Sequence, residues 1–131
     1  MERLSVEDLL LIGEAVLDVP AERLARTARL ATAAVALAAP FAAEHGRERH
    51  VTLAAKAAVL CARLVRDRPL RHGNERVALV AMLELVARNH GIWQPPAGGQ
   101  EELADAVGGL AAGTLTEEAF ASWVGRHVRE R

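Results

Sequence analysis

At 131 residues the chain has the length of one domain, 1–131, that buries a real core without disulfide staples. Apolar residues make up 51% and aromatics only 3%, so the interior is built from small and branched aliphatics, which favour closely packed helices. A net charge of −1 gives no global pull on nucleic acid or an anionic membrane surface, and the lone Cys61 excludes an internal disulfide.

Ser5 followed by Asp8 forms a capping-box start, and Leu9, Leu10, Ile12, Val16 and Leu17 give the first helix its apolar side. Val19-Pro20 ends it. Ala21–Ala39 is helical in pattern, Arg-studded early and apolar late, and fits one broken helix or two short ones. Pro40 and the polar stretch Glu44–His50 read as a loop. A third helix is predicted from about Thr52 to Arg66, with Leu53, Ala57, Leu60 and Leu64 on one face and Arg68-Pro69 as its end. Cys61 falls inside it as a small buried hydrophobe.

The fourth helix begins near Asn74 and runs to about Asn89, with Val77, Val80, Ala81, Met82 and Leu85 spaced for burial. Asn89-His90-Gly91 is a stop, and Gly91–Gln100 reads as a connecting loop. A fifth helix spans roughly Glu101–Ala112 and ends at Gly113. Thr116 caps a sixth, with Glu117 and Glu118 in its first turn and Phe120, Trp123, Val124 and Val128 as its stripe. No stretch alternates with period two, so the expected fold is all-α, a compact bundle of about six helices. The first apolar run is interrupted by Glu7, Asp8 and Glu14, unlike a secretory signal, and Leu30–Ala43 is broken by Pro40 and too short for a bilayer. The expectation is a cytoplasmic protein with no membrane partner.

The segment RPLRHGNERVAL, Arg68–Leu79, holds most of the functional information. It places Gly73-Asn74 where a loop turns into a helix, among Arg63, Arg66, Arg68, Arg71 and Arg76. Backbone N–H groups at a helix start carry partial positive charge, and a glycine there lets an anion approach the backbone. Elsewhere the candidates thin out. The five histidines form no i, i+4 zinc pair, so no metal site is expected. Ser5 reads as a cap and Ser122 as a polar-face residue, Trp93 and Trp123 as packing anchors, and the glycine pairs at Gly98 and Gly108 follow no strand.

Taken in order, the pieces resemble Doc proteins, the short toxin branch of the Fic (Fido-fold) superfamily, over nearly the whole length. LSVEDLLLIGEAVL resembles the Doc-type opening, and LAAKAAVLCARLVRDRPL the helix before the active loop. GNERVALVAMLELVARNHG is similar to the helix after that loop, and LAAGTLTEEAFASWVGRHV to the last two helices. The family motif reads His-Pro-Phe-x-Asp/Asn-Gly-Asn-Lys/Gly-Arg. Pro69, Gly73, Asn74 and Arg76 match it, and Leu70 stands for the aromatic. Arg68 stands where the family has the His that takes the proton of the attacking hydroxyl. His72 stands where an acid or amide helps hold magnesium, and Glu75 where Doc proteins carry Lys.

The resemblance implies transfer of a phosphate or AMP from ATP or another nucleotide with Mg²⁺ to a protein hydroxyl. For the Doc branch it implies elongation factor Tu as the translation-factor target and a small antitoxin as partner. The departures weaken that chemistry. Arginine stays protonated, and losing a general base forfeits about 10²–10⁴ in rate. A carboxylate about 5 Å from a phosphate at an effective dielectric near 20 costs roughly 3 kcal/mol. The expectation is therefore a Doc-like Fido domain with Arg68 and His72 at the catalytic positions and Arg71, Gly73, Asn74, Glu75 and Arg76 at the nucleotide-binding ones. Its motif is degenerate, so it acts by binding. The alternatives are a transferase with altered chemistry, and a protein-interaction module that needs no nucleotide.

Overall fold

Ten of the fifteen residues of Leu53–Asp67 are buried, and the other helices gather around this rod. The sequence pattern marks one apolar face, yet Ala57, Ala58, Cys61 and Ala62 let neighbours close in on every side. A computed structural model describes all residues, 1–131. In chain order it comprises α1 (Val6–Leu17), α2 (Ala21–Thr27), α3 (Leu30–Ala38), β1 (Ala43–Glu44), β2 (Arg47–Glu48) and α4 (Leu53–Asp67), followed by α5 (Asn74–Arg88), β3 (Ile92–Trp93), α6 (Gly99–Ala112), α7 (Glu117–Gly125) and β4 (Val128–Arg129). The fold is all-α, with seven helices, and α4 packs against α3, α5, α6 and α7. No helix is long and apolar enough to cross a membrane.

The stretch Ala21–Ala39 resolves into two short helices, because Ala28 is extended between them. Glu44–His50, expected as a loop, contains the antiparallel ribbon β1–β2, with Ala43 opposite Glu48. The last helix ends at Gly125, and Val128 belongs to β4 rather than to its stripe. There it pairs with Trp93 of β3, inside the segment expected to be a plain connector. A two-residue strand leaves no periodicity for a sequence to display. The ribbon β3–β4 brings Trp93, Trp123 and His127 together, with the two indoles 5.9 Å apart and the imidazole 4.7 Å from Trp123.

Lys56 is the largest fully buried side chain. Its amine donates to the His50 carbonyl, pairs with Glu48 at 3.2 Å and lies 5.9 Å from the centre of the Phe41 ring. Those partners satisfy a charge that burial would otherwise penalise heavily, and they pin β2 against α4. Cys61, 0% exposed, has its thiol pushed up to about 12 by burial, which leaves it inert as a nucleophile.

The chain start is fixed by charge. Ser5 Oγ accepts from the Asp8 amide at 3.0 Å, and Asp8 accepts from the Ser5 amide at 2.8 Å, closing the capping box. The same carboxylate takes both ends of the Arg88 guanidinium, at 3.0 and 3.2 Å. The Arg88 hydrogen bond first, and the Ser5 amide second, lower the Asp8 pKa from 3.8 to about 2. A carboxyl depressed in the folded state stabilises above its unfolded pKa and loses that contribution as pH falls through the folded one. Asp8→Asn is therefore expected to lower urea-measured stability by about 1–2 kcal/mol at pH 7. The gap to the unsubstituted protein should close between pH 4 and pH 2, and a gap that does not change over that range would contradict the assignment.

Candidate anion-binding site

The segment between α4 and α5 is held from behind by three sets of contacts. At its entrance Arg68 caps α4 in the left-handed region, φ 47°, a conformation usually given to glycine. The Arg29 amide donates to the Pro69 carbonyl at 2.8 Å, and its guanidinium donates to the carbonyls of Asp67 and Arg68 at 2.5 and 2.6 Å. These bonds satisfy carbonyls that the end of α4 leaves without helical partners. Leu70 is buried, and Asn74 reads its backbone on both sides. Asn74 Oδ1 accepts from the Leu70 amide at 2.9 Å while Nδ2 donates to the Leu70 carbonyl at 2.8 Å.

Gly73 has no substitute here. Its φ is 75°, and a Cβ would stand 2.3 Å from Leu17 Cδ2 at the end of α1. Leu17 therefore packs directly under the turn from which α5 starts. No side chain caps α5, and the amides of Asn74, Glu75 and Arg76 find no acceptor in the chain. Three unpaired donors at the positive end of a fifteen-residue helix suit an oxyanion.

Arg76 donates to the Val16 carbonyl at 2.9 Å, and its side chain borders a cleft of about 550 Å³. Leu79 and Leu83 of α5, Trp93, and Leu103 of α6 form most of its apolar wall, and Gln100 adds an amide. That volume lies in the range of small-molecule sites. Val80, expected in the core, lines this cleft instead. Arg68 and Glu75 meet at 4.0 Å across the loop mouth, both about half exposed, a weak and screened pair that offsets only part of the Glu75 charge.

Arg68, Gly73, Asn74, Glu75 and Arg76 thus gather at the start of α5. Arg71 and His72 do not join them. They turn to a separate recess beside Leu17, Arg23 and Leu24. Asn74 is present but its amide is fully engaged by Leu70, which makes it a positioning residue for the loop. Sequence reasoning missed Arg29, Leu17 and the Trp93–Leu103 wall, all brought in by tertiary packing with no local signature. No three His, Cys, Asp or Glu side chains converge as a metal cage. A magnesium ion does not suit the donors present, because the one group at the acid position is an imidazole flanked by Arg71, and the nearby carboxylate faces Arg68.

Asn74→Ala would leave the Leu70 amide and carbonyl buried without partners. A stability loss of about 2–4 kcal/mol is expected in chemical denaturation. Asn74→Asp keeps the acceptor and loses the donor, so it should fall between alanine and the native residue; equal losses for both would show that the amide does not hold the loop.

The Fic/DOC family model matches residues 3–86, which spans α1 to the last turn of α5 and includes the whole clasped loop. No curated protein matches the chain. With the match covering well over half of its length, the chain belongs to the Fic/DOC family.

Proposed function

We propose that the protein is a Doc-type member of the family that has kept the phosphate cradle and lost the standard group transfer. In this reading it binds the phosphates of a nucleotide at the start of α5 and acts in the cytoplasm by occupancy. Its lineage is that of bacterial toxin–antitoxin pairs, with a small antitoxin as the matching partner. The observation that carries the proposal is Arg68, a permanently charged guanidinium at the position of the family's proton acceptor, 4.0 Å from Glu75.

The residues divide the work as follows. The amides of Asn74, Glu75 and Arg76 offer donors to phosphate oxygens, and Gly73 admits them to the backbone. The Arg76 guanidinium adds charge at the edge of the cleft, whose apolar wall and Trp93 suit a nucleoside. ATP fits these donors as a ligand; magnesium does not, so no step is routed through the metal. A hydroxyl brought to this site finds no base at Arg68. His72 does not replace it, since its ring lies in the other recess with Arg71. The departure at Glu75 weakens phosphate binding, and Arg68 offsets part of that loss at an exposed, salt-screened distance.

ATP is expected to bind the protein without magnesium by calorimetry, with Arg76→Ala weakening it about tenfold. Expression in bacteria should not arrest growth. The triple change Arg68→His, His72→Asp, Glu75→Lys is expected to gain magnesium-dependent phosphate transfer, read with labelled ATP and elongation factor Tu. Absence of ATP binding in both the native chain and the triple variant would overturn the proposal, as would growth arrest abolished by Arg76→Ala.

A further inference from the structure

A second recess, of about 420 Å³, adjoins the loop, and its chemistry differs from that of the cleft. Its floor is Leu17, Val19 and Leu24, and its rim carries Arg23, Arg71 and His72. Val16 lines the cleft and Leu17 the recess, so the last turn of α1 stands between the two.

The cations here have nothing to neutralise them. Arg63, Arg66, Arg68 and Arg88 pair with carboxylates, and Arg29 and Arg76 with carbonyls. Arg23 and Arg71 have no carboxylate within 4.0 Å. The nearest acids along the chain, Asp18 and Glu22 on one wall and Asp67 and Glu75 on the other, do not line the recess, and the latter two face Arg66 and Arg68. Two like charges and an imidazole thus converge on one concavity without an internal counter-ion.

Both walls are held in place. Glu14 accepts from the Ala21 amide at 2.8 Å, and Leu24 packs so closely on Gly13 that a Cβ there would lie 2.8 Å from its Cδ1. That fixes the helix bearing Arg23 against α1. The opposite wall, Arg71 and His72, belongs to the loop clasped by Arg29 and Asn74. The bases of both arginines are therefore positioned before any ligand arrives, although their tips are in solvent.

The geometry points to a second ligand site, separate from the start of α5, for a phosphate monoester with an apolar body. The body lies on Leu17, Val19 and Leu24, and the dianionic oxygens take the planar donor forks of Arg23 and Arg71 with His72 beside them. The site does not depend on nucleotide binding at Arg76.

The test is a titration of methyl-labelled protein with phenyl phosphate, inorganic phosphate and phenol, followed by NMR. Phenyl phosphate should shift the Leu17 and Leu24 methyls saturably, and inorganic phosphate should bind at least about tenfold more weakly for want of the apolar contact. Arg23→Gln and Arg71→Gln should each weaken phenyl phosphate about tenfold, while Arg76→Ala leaves it unchanged. Amide spectra away from the recess report that the variants are folded. Binding unchanged in the Arg23→Gln/Arg71→Gln double variant, equal binding of inorganic phosphate, or no saturable shift would each overturn the proposal.

Discussion

A methyl group at Gly73 would collide with Leu17, and the rest of the active segment is arranged around that contact. With the turn pressed onto the end of α1, α5 starts at Asn74, and its first three amides have no acceptor in the chain. Asn74 then closes the loop from inside through Leu70, and Arg29 closes it from the α3 side. Six residues without regular structure are thereby ordered by bonds to their own backbone, leaving the helix start free for an external anion. Ordering of this kind is completed during folding, so a ligand has less entropy to overcome when it binds.

The family motif separates along that division. Pro69 and Leu70 are buried, Gly73 touches Leu17, Asn74 is engaged by Leu70, and Arg76 reaches the Val16 carbonyl. All but Leu70, which stands for an aromatic, are positions where the chain matches the motif of the resemblance. The three that depart, Arg68, His72 and Glu75, have exposed side chains with at most one weak ion pair among them. Exposed side chains away from packing change stability by only tenths of a kcal/mol, whereas the clasped ones carry the geometry of the loop. Under the proposed reading, chemistry at this site is removable without dismantling the loop.

Local signals in the sequence were read well because they act over one helical turn. The Ser5–Asp8 box, the Thr116 cap, the start at Asn74 and the stop at Asn89-His90-Gly91 all appear as expected. Contacts between distant segments were not legible. Arg29 sits at a helix junction with nothing nearby to mark it as the partner of a loop 38 residues away. Lys56 breaks the apolar pattern of α4, yet it is buried because carbonyls and Glu48 from the preceding segment meet its amine. Val128 follows helical spacing but leaves the helix, since pairing with Trp93 satisfies backbone groups that a frayed last turn would expose. Within the site, the motif letters identified which residues lie near α5, and only the fold revealed that Arg71 and His72 face elsewhere.

That separation bears on the proposed loss of group transfer. An active group-transfer site needs its acceptor, its phosphate donors and its cations converging on one reacting atom. Here the cations are dispersed: Arg76 borders the cleft, Arg68 is drawn to Glu75, and Arg71 lies with Arg23 in the recess. Each guanidinium thus has a different neighbour, and the carboxylate at the start of α5, Glu75, faces Arg68. The loop thus carries unpaired amides at the start of α5 and guanidinium groups on more than one side, and under the proposed reading that arrangement serves recognition of charged ligands.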